Sequence, residues 1–314
     1  MSKDNILLLP NTIAEMELEI ESLMQKKDFE KALNNLELLL KHNHCTYMVY
    51  RDTLTCLMKL HHTNEAVDLC EKLLMDKQSE FYYDYLEFYI ILLYESEAYS
   101  TLIHVFETEK NNMPHEYADR TEKFKVLALQ MRTWQQEEKL SKLLDAVQKK
   151  DALAQHRIIL QWRRNQLPLP ELFKEMLSEE DIHPVVKTEL FIILQEADYQ
   201  EEVIINKAGK SLSFSPRFML PLEKHPSYLK SMETIEEVEQ QNPVLYILTK
   251  EIIDHYMFVL YPVLHDAKDA EVIARHALAI AKRNLGIDDS STMENDKLIQ
   301  NIMMNLERYQ EIML

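Results

Sequence analysis

The chain has 314 residues, a formal net charge of −18 and only two glycines, Gly209 and Gly286. Average usage of about 7% would supply roughly twenty, so the phosphate-binding turns of Rossmann and P-loop folds and the tight turns of a β protein are excluded. With many Leu, Glu, Lys, Gln and Met, an all-α chain of helices joined by short connections remains. The negative charge disfavours non-specific nucleic-acid or membrane attraction. No apolar run approaches the roughly 20 residues of a membrane span, and MSKDNILLLP does not read as a signal peptide. Three cysteines without CxxC spacing read as reduced thiols, so a cytoplasmic location is expected.

Taken in chain order, a first helix capped by Thr12 carries Ile13, Met16, Ile20, Leu23 and Met24 at helical spacing. A turn at Lys26–Asp28 leads to a second, with Phe29, Ala32, Leu33, Leu36, Leu39 and Leu40 on one face. The pattern returns with Tyr50, Leu54, Leu57 and Met58, then Ala66, Val67, Cys70, Leu73 and Leu74. Ala66 follows Ala32 by 34 residues, and Cys70 falls where Leu36 does. A third pair is looser: a helix from about Glu80 to Glu95, then Tyr99, Leu102 and Phe106, displaced by two residues from a strict period. Met113-Pro114 breaks the pattern, and 116–148 reads as a further helix pair.

Residues 167–226 hold six of the ten prolines, with short helices expected at Glu171–Leu177 and Val185–Glu196. The β-branched Val203, Ile204 and Ile205, the turn formers Ala208-Gly209 and then SLSF predict one β-hairpin, near 201–215. Pro243 opens a helix that ends near Tyr261-Pro262. Ala270, Ala274, Ala277 and Ala281 form a small-residue stripe on the next, stopped by Gly286, and a last helix is expected over about 292–312. The expected segments are repeats over 1–110, a basic helical region over 111–165 that continues the solenoid, a proline-rich part with the hairpin over 166–226, and a repeat-like helical region over 227–314.

The 34-residue match between KKDFEKALNNLELLL and HHTNEAVDLCEKLL resembles the tetratricopeptide repeat. It departs at the intra-repeat turns, where Lys27 and His61 replace the usual Gly, and it lacks the Pro at the repeat end. With the insert EVIINKAGKSLSFSP and the Tyr261-Pro262 helix end, the whole chain resembles a group of cytosolic tetratricopeptide proteins of low-GC Gram-positive bacteria that has no settled activity. The resemblance implies an all-α, tetratricopeptide-like helical-hairpin solenoid with one small β-hairpin insert, acting as a non-catalytic scaffold for protein–protein interaction.

In such a solenoid the first helix of each unit lines a concave groove. That places Glu17, Glu21, Met24 and Gln25, then Arg51, Thr55, Met58 and Lys59, then Asp84, Glu87, Ile91 and Tyr94 at the groove. Arg51, Thr55, Lys59, Glu87 and Tyr94 are the candidate peptide contacts. Arg51 and Lys59 are the only cations and no Asn joins them, so a clamp for a peptide's terminal carboxylate fits poorly. A basic or amphipathic protein or peptide fits better. Of the aromatic cluster, Phe81, Tyr85, Phe88 and Tyr89 read as core, and Tyr83 and Tyr94 as surface contacts. The hairpin is expected to lie on helices or to pair with a second copy in a homodimer.

The alternative reading is an RNA-associated factor. Residues 111–165 carry a net +4 against −10 before them and −12 after. Arg157, Arg163 and Arg164, with Trp162, form that alternative basic face. His42, His44, Cys45, Cys56, His61, His62 and Cys70 crowd the first repeats without metal-ligand spacing, so no metal or cofactor is expected. Asp254-His255 and His265-Asp266 are sequence neighbours whose side chains diverge, and no other acid–base or nucleophile pattern emerges. No enzyme is expected.

Overall fold

A computed structural model describes residues 10–287 and 296–313. Among the described residues there are fourteen α-helices and one two-stranded antiparallel sheet, in two compact units divided at Gln135–Gln136.

The first unit is a run of helical hairpins: α1 Pro10–Gln25 with α2 Phe29–Lys41, α3 Tyr47–Lys59 with α4 Thr63–Leu73, and α5 Tyr82–Glu95 with α6 Tyr99–Glu109. Pro10 opens α1, where its missing N–H costs nothing, so Thr12 lies inside the helix rather than capping it. Ala32, Ala66 and Leu102 occupy matching places on the second helices, and all three are fully buried. A methyl at Ala32 and Ala66 lets the paired helix approach closely. Leu36, Cys70 and Phe106, one turn on, fill the space beneath. Aromatic rings tie the second hairpin to the third. Tyr47 stacks on Phe81 at 4.1 Å, and the Tyr89 hydroxyl donates to Glu71 Oε1 at 3.0 Å. Burial favours Tyr82, Tyr85 and Tyr89; Phe81 and Phe88, expected in the core, are half-buried.

The expected helix pair over 116–148 is instead one helix, α7 His115–Gln148, with the unit boundary inside it. No Gly or Pro interrupts those 34 residues, so nothing forces the chain to turn.

The second unit continues with α8 Ala152–Arg164, α9 Leu172–Ser178, α10 Pro184–Glu196, β1 Val203–Lys207, β2 Lys210–Phe214, α11 Pro226–Gln241, α12 Pro243–Leu260, α13 Ala270–Asn284 and α14 Lys297–Met313. The start expected for the last helix, residues 292–295, lies outside the described residues. The hairpin pairs Val203 with Phe214 and Lys207 with Lys210. Its turn residues Ala208 and Gly209 are both left-handed, at φ 53° and 71°, the backbone a two-residue type I′ connection requires. Alternation sends Val203, Ile205 and Lys207 inward and Ile204 outward. Val203 and Ile205 join Trp162, Phe173, Phe191 and Tyr261 in one core, and the four C-terminal helices build another around Ile253, Tyr256, Ala274, Ala277 and Ile302.

Eight helices end in one way. Lys27, Asn43, His61, Glu97, Lys150, Gln166, Asp198 and Gly286 all have left-handed backbones, φ 47° to 66°. In each case the next residue's N–H donates to the carbonyl five back, from Asp28 to Leu23 through Ile287 to Lys282, at 2.9–3.2 Å. This is the Schellman turn. Lys27 and His61 stand 34 residues apart, at the positions where the repeat pattern usually has Gly. A side chain in this conformation costs about 1–2 kcal/mol, partly offset because Gly is more disordered when unfolded. Lys27→Gly and His61→Gly should therefore each stabilise the chain by about 0.5–1 kcal/mol, whereas Glu37→Gly inside α2 should destabilise it by about 1 kcal/mol. Chemical denaturation of the three variants checks the sign at each position.

Candidate functional site

The first two hairpins leave an open groove. A cavity of about 840 Å³ lies along α1 and α3, floored by Leu36 of α2. Five of the side chains placed at the groove by sequence line it: Glu17, Glu21, Met24, Gln25 and Arg51. Of the lining residues that the sequence did not place there, two are large, apolar and exposed. Leu18 is 68% exposed and Met48 is 51% exposed, both at the cavity wall. The signal for Leu18 was present, because a leucine at 18 falls off the stripe made by Ile13, Met16, Ile20 and Leu23.

The groove leans acidic. Arg51 is turned onto its neighbour, with Nε and Nη2 donating to Asp52 Oδ1 at 2.9 and 2.7 Å. Its charge is thereby largely cancelled. Glu17 accepts from His44 at 2.9 Å when that nitrogen carries a proton, and Glu21 lies at the surface.

The remaining candidates do not line the cavity. The Thr55 hydroxyl donates to the Arg51 carbonyl at 2.8 Å, a bond within its own helix, and Lys59 at the end of α3 is exposed. Glu87 and Tyr94 on α5 meet the first half of α7. Arg120 Nη2 pairs with Glu87 Oε2 at 2.9 Å, and Tyr94 packs edge-on against Phe124 at 5.5 Å. Further up, Tyr83 packs beside Tyr117, and its hydroxyl donates to the Asn112 carbonyl at 2.6 Å. Residue numbers rise together along α5 and α7, so α7 lies parallel to α5, as the first helix of a next repeat would. The chain itself therefore covers the face carrying Glu87 and Tyr94.

The 111–165 stretch does not form the expected aromatic basic face. Trp162 is fully buried, its Nε1 donating to the Leu167 and Pro168 carbonyls at 3.2 and 3.1 Å and its ring edge-on to Phe173. It holds the core together and offers no ring to a nucleobase. Arg163 is bound to Glu196 through two nitrogens, with Glu189 3.7 Å away. Lys125, Lys142, Lys149 and Lys150 are likewise in ion pairs. Arg157 and Arg164 are exposed. The RNA reading has no support in this arrangement.

Cys56 and Cys70 are fully buried, and burial pushes their thiols up to about 11 and about 12. Both act as small apolar side chains. Among the described residues no three His, Cys, Asp or Glu side chains converge as a metal site would require. No described helix is long and apolar enough to cross a membrane.

With this architecture in view, one curated relative can be set beside the chain. The chain is 26% identical over 251 residues to the TPR repeat-containing protein YsoA of Bacillus subtilis (strain 168), covering 77% of this chain and 75% of YsoA. The fold is all-α, a tetratricopeptide-like array of helical hairpins with one small β-hairpin insert. No family model matches it, and no solved structure does.

Five histidines of the second unit share one electrostatic setting. Burial lowers the values of His156, His183, His225, His255 and His265 below the ordinary 6.5. Each is kept neutral by the fold and protonates more readily when unfolded. Their contribution to stability is therefore complete above pH 6.5 and is lost as pH falls from there through the lowered folded values. Glu189, raised by burial, works in the opposite direction, since protonation relieves its desolvation. Five groups against one set the sign. In a Trp134→Phe variant, which removes a tryptophan that is 55% exposed, Trp162 emission reports the second unit alone. Its urea midpoint should fall between pH 7 and pH 5.5; a constant or rising midpoint would contradict the burial of these rings.

Proposed function

We propose that the chain is a non-catalytic scaffold that binds a basic, amphipathic peptide segment of a protein partner in the groove between α1 and α3. One juxtaposition carries the reading: the exposed apolar Leu18 and Met48 stand beside Glu17 and Glu21, while Asp52 cancels the single arginine. Apolar anchors on such a partner fill the groove, and its cations meet the carboxylates. Likeness to a protein named for its tetratricopeptide repeats supports the same use of the stack.

A fluorescein-labelled helical peptide of lysine and leucine should bind, and the glutamate–leucine peptide of the same pattern should not. The double substitution Glu17→Lys with Glu21→Lys should weaken binding about tenfold or more, with the circular dichroism spectrum unchanged. Arg51→Glu separates this groove from a carboxylate clamp. It adds a favourable charge, so affinity for the basic peptide should hold or rise. Equal binding of the acidic peptide, or loss of basic-peptide binding in Arg51→Glu, would contradict the proposal.

A further inference from the structure

A second cavity, of about 1010 Å³, lies wholly within the second unit, where the β-hairpin turn meets the start of α10 and one face of α14. Four cationic side chains line it: Lys187, Lys207, Lys210 and Arg308. Lys187 and Lys207 are 2% and 5% exposed. Neutral oxygens hold both. Lys187 Nζ donates to the Asn206 carbonyl at 2.5 Å, and Lys207 Nζ donates to Thr188 Oγ1 at 2.5 Å and to the Tyr261 carbonyl at 2.6 Å.

Among the described residues none of the four cations is in an ion pair. Two carboxylates, Glu180 and Asp181, also line the cavity, and that of Asp181 is taken by Lys150 at 2.6 Å. Burial lowers the values of both buried lysines, Lys207 most strongly, and the charge of Lys187 adds to the effect on Lys207. Glu179 and Glu180 act in the opposite sense on Lys187. Burying basic groups without a counter-charge is unfavourable, and residues 166–314, these four included, carry a net −12. The fold therefore gathers four basic side chains without carboxylate partners at one place in an acidic unit.

Among the neutral groups at the cavity, His183 and Asn206 each keep a buried polar atom without a hydrogen bond. His183 Nδ1 accepts the Val185 N–H at 3.2 Å, which puts the ring proton of the neutral tautomer on Nε2. That nitrogen is buried without a hydrogen bond, Glu311 Oε2 standing 3.4 Å away. The cavity is also lined by Pro184 at the positive end of the 13-residue α10 and by the left-handed Ala208-Gly209 turn, beside which the space is open.

We propose that this cavity binds a small molecule through a phosphate or diphosphate group. Four cations are more than one carboxylate needs, and lysine, arginine and a helix start are the usual phosphate partners. A volume of about 1010 Å³ exceeds a bare phosphate and suits a ligand of nucleotide size. This site is separate from the α1–α3 groove, so either proposal can fail alone.

Isothermal titration of the full chain with pyrophosphate, ADP and citrate, at constant ionic strength, tests the site. Pyrophosphate or ADP should bind at one per chain, with citrate at least about tenfold weaker. Lys187→Gln alters a buried side chain and risks the fold, so the deciding variants are Arg308→Gln and Lys210→Gln, nearer the solvent. Each should weaken binding about tenfold, while Lys230→Gln on α11 leaves it unchanged. Absence of binding by both phosphate ligands, citrate binding as tightly as they do, or full affinity in Arg308→Gln and Lys210→Gln would overturn the assignment.

Discussion

The reversal of the chain at helix ends is the constraint on which the rest of this structure depends. A helix exposes its last carbonyls, and a solenoid must turn back within a few residues to stack its hairpins. Glycine would serve, but the sequence has two. The chain instead bends a lysine, a histidine, a glutamate or another side chain into the left-handed region at seven helix ends, and glycine at one. The reward is two further backbone hydrogen bonds at each end and a fixed exit direction. Close packing at Ala32 and Ala66 follows from that direction, and so does the groove between α1 and α3.

The fold was legible where a side chain has one reason to be where it is. Small residues at Ala32 and Ala66 mark helix contact, and β-branched residues before Ala208-Gly209 mark the hairpin. The single long α7 was misread because its apolar positions thin out on a mostly solvated surface, which imitates a turn between two helices. A clearer sign was also present. Lys26-Lys27-Asp28 recurs as Lys149-Lys150-Asp151, and both sites make the same turn before a new helix, with Asp151 Oδ1 accepting the Ala154 N–H at 2.9 Å.

Side-chain destinations were harder to read. Trp162 sits among arginines in sequence, yet its helix turns it inward while Arg163 and Arg164 stay out. Composition over a segment cannot separate those faces, whereas the helical period does. Lys207 follows Val203 and Ile205 at strand spacing, so alternation alone places it inward. Its burial was inferable once the hairpin was accepted. That α7 would cover Glu87 and Tyr94 depends on tertiary packing that no local pattern carries, whereas Arg51 is neutralised by Asp52, its neighbour in sequence.

The two cavities are of opposite character: an acidic groove with exposed apolar walls in the first unit, and a cation-lined pocket in the second. Both are set by where the turns send the chain. Amide hydrogen exchange resolved to single residues tests that claim most directly. The amides of Asp28, His62, Ala98 and Asp151 lie just past helix ends, where free loop amides exchange quickly. Because each donates to a carbonyl five residues back, they should be protected to the level of the neighbouring helix interiors. Exchange as fast as in unstructured loops at these four positions would contradict the account.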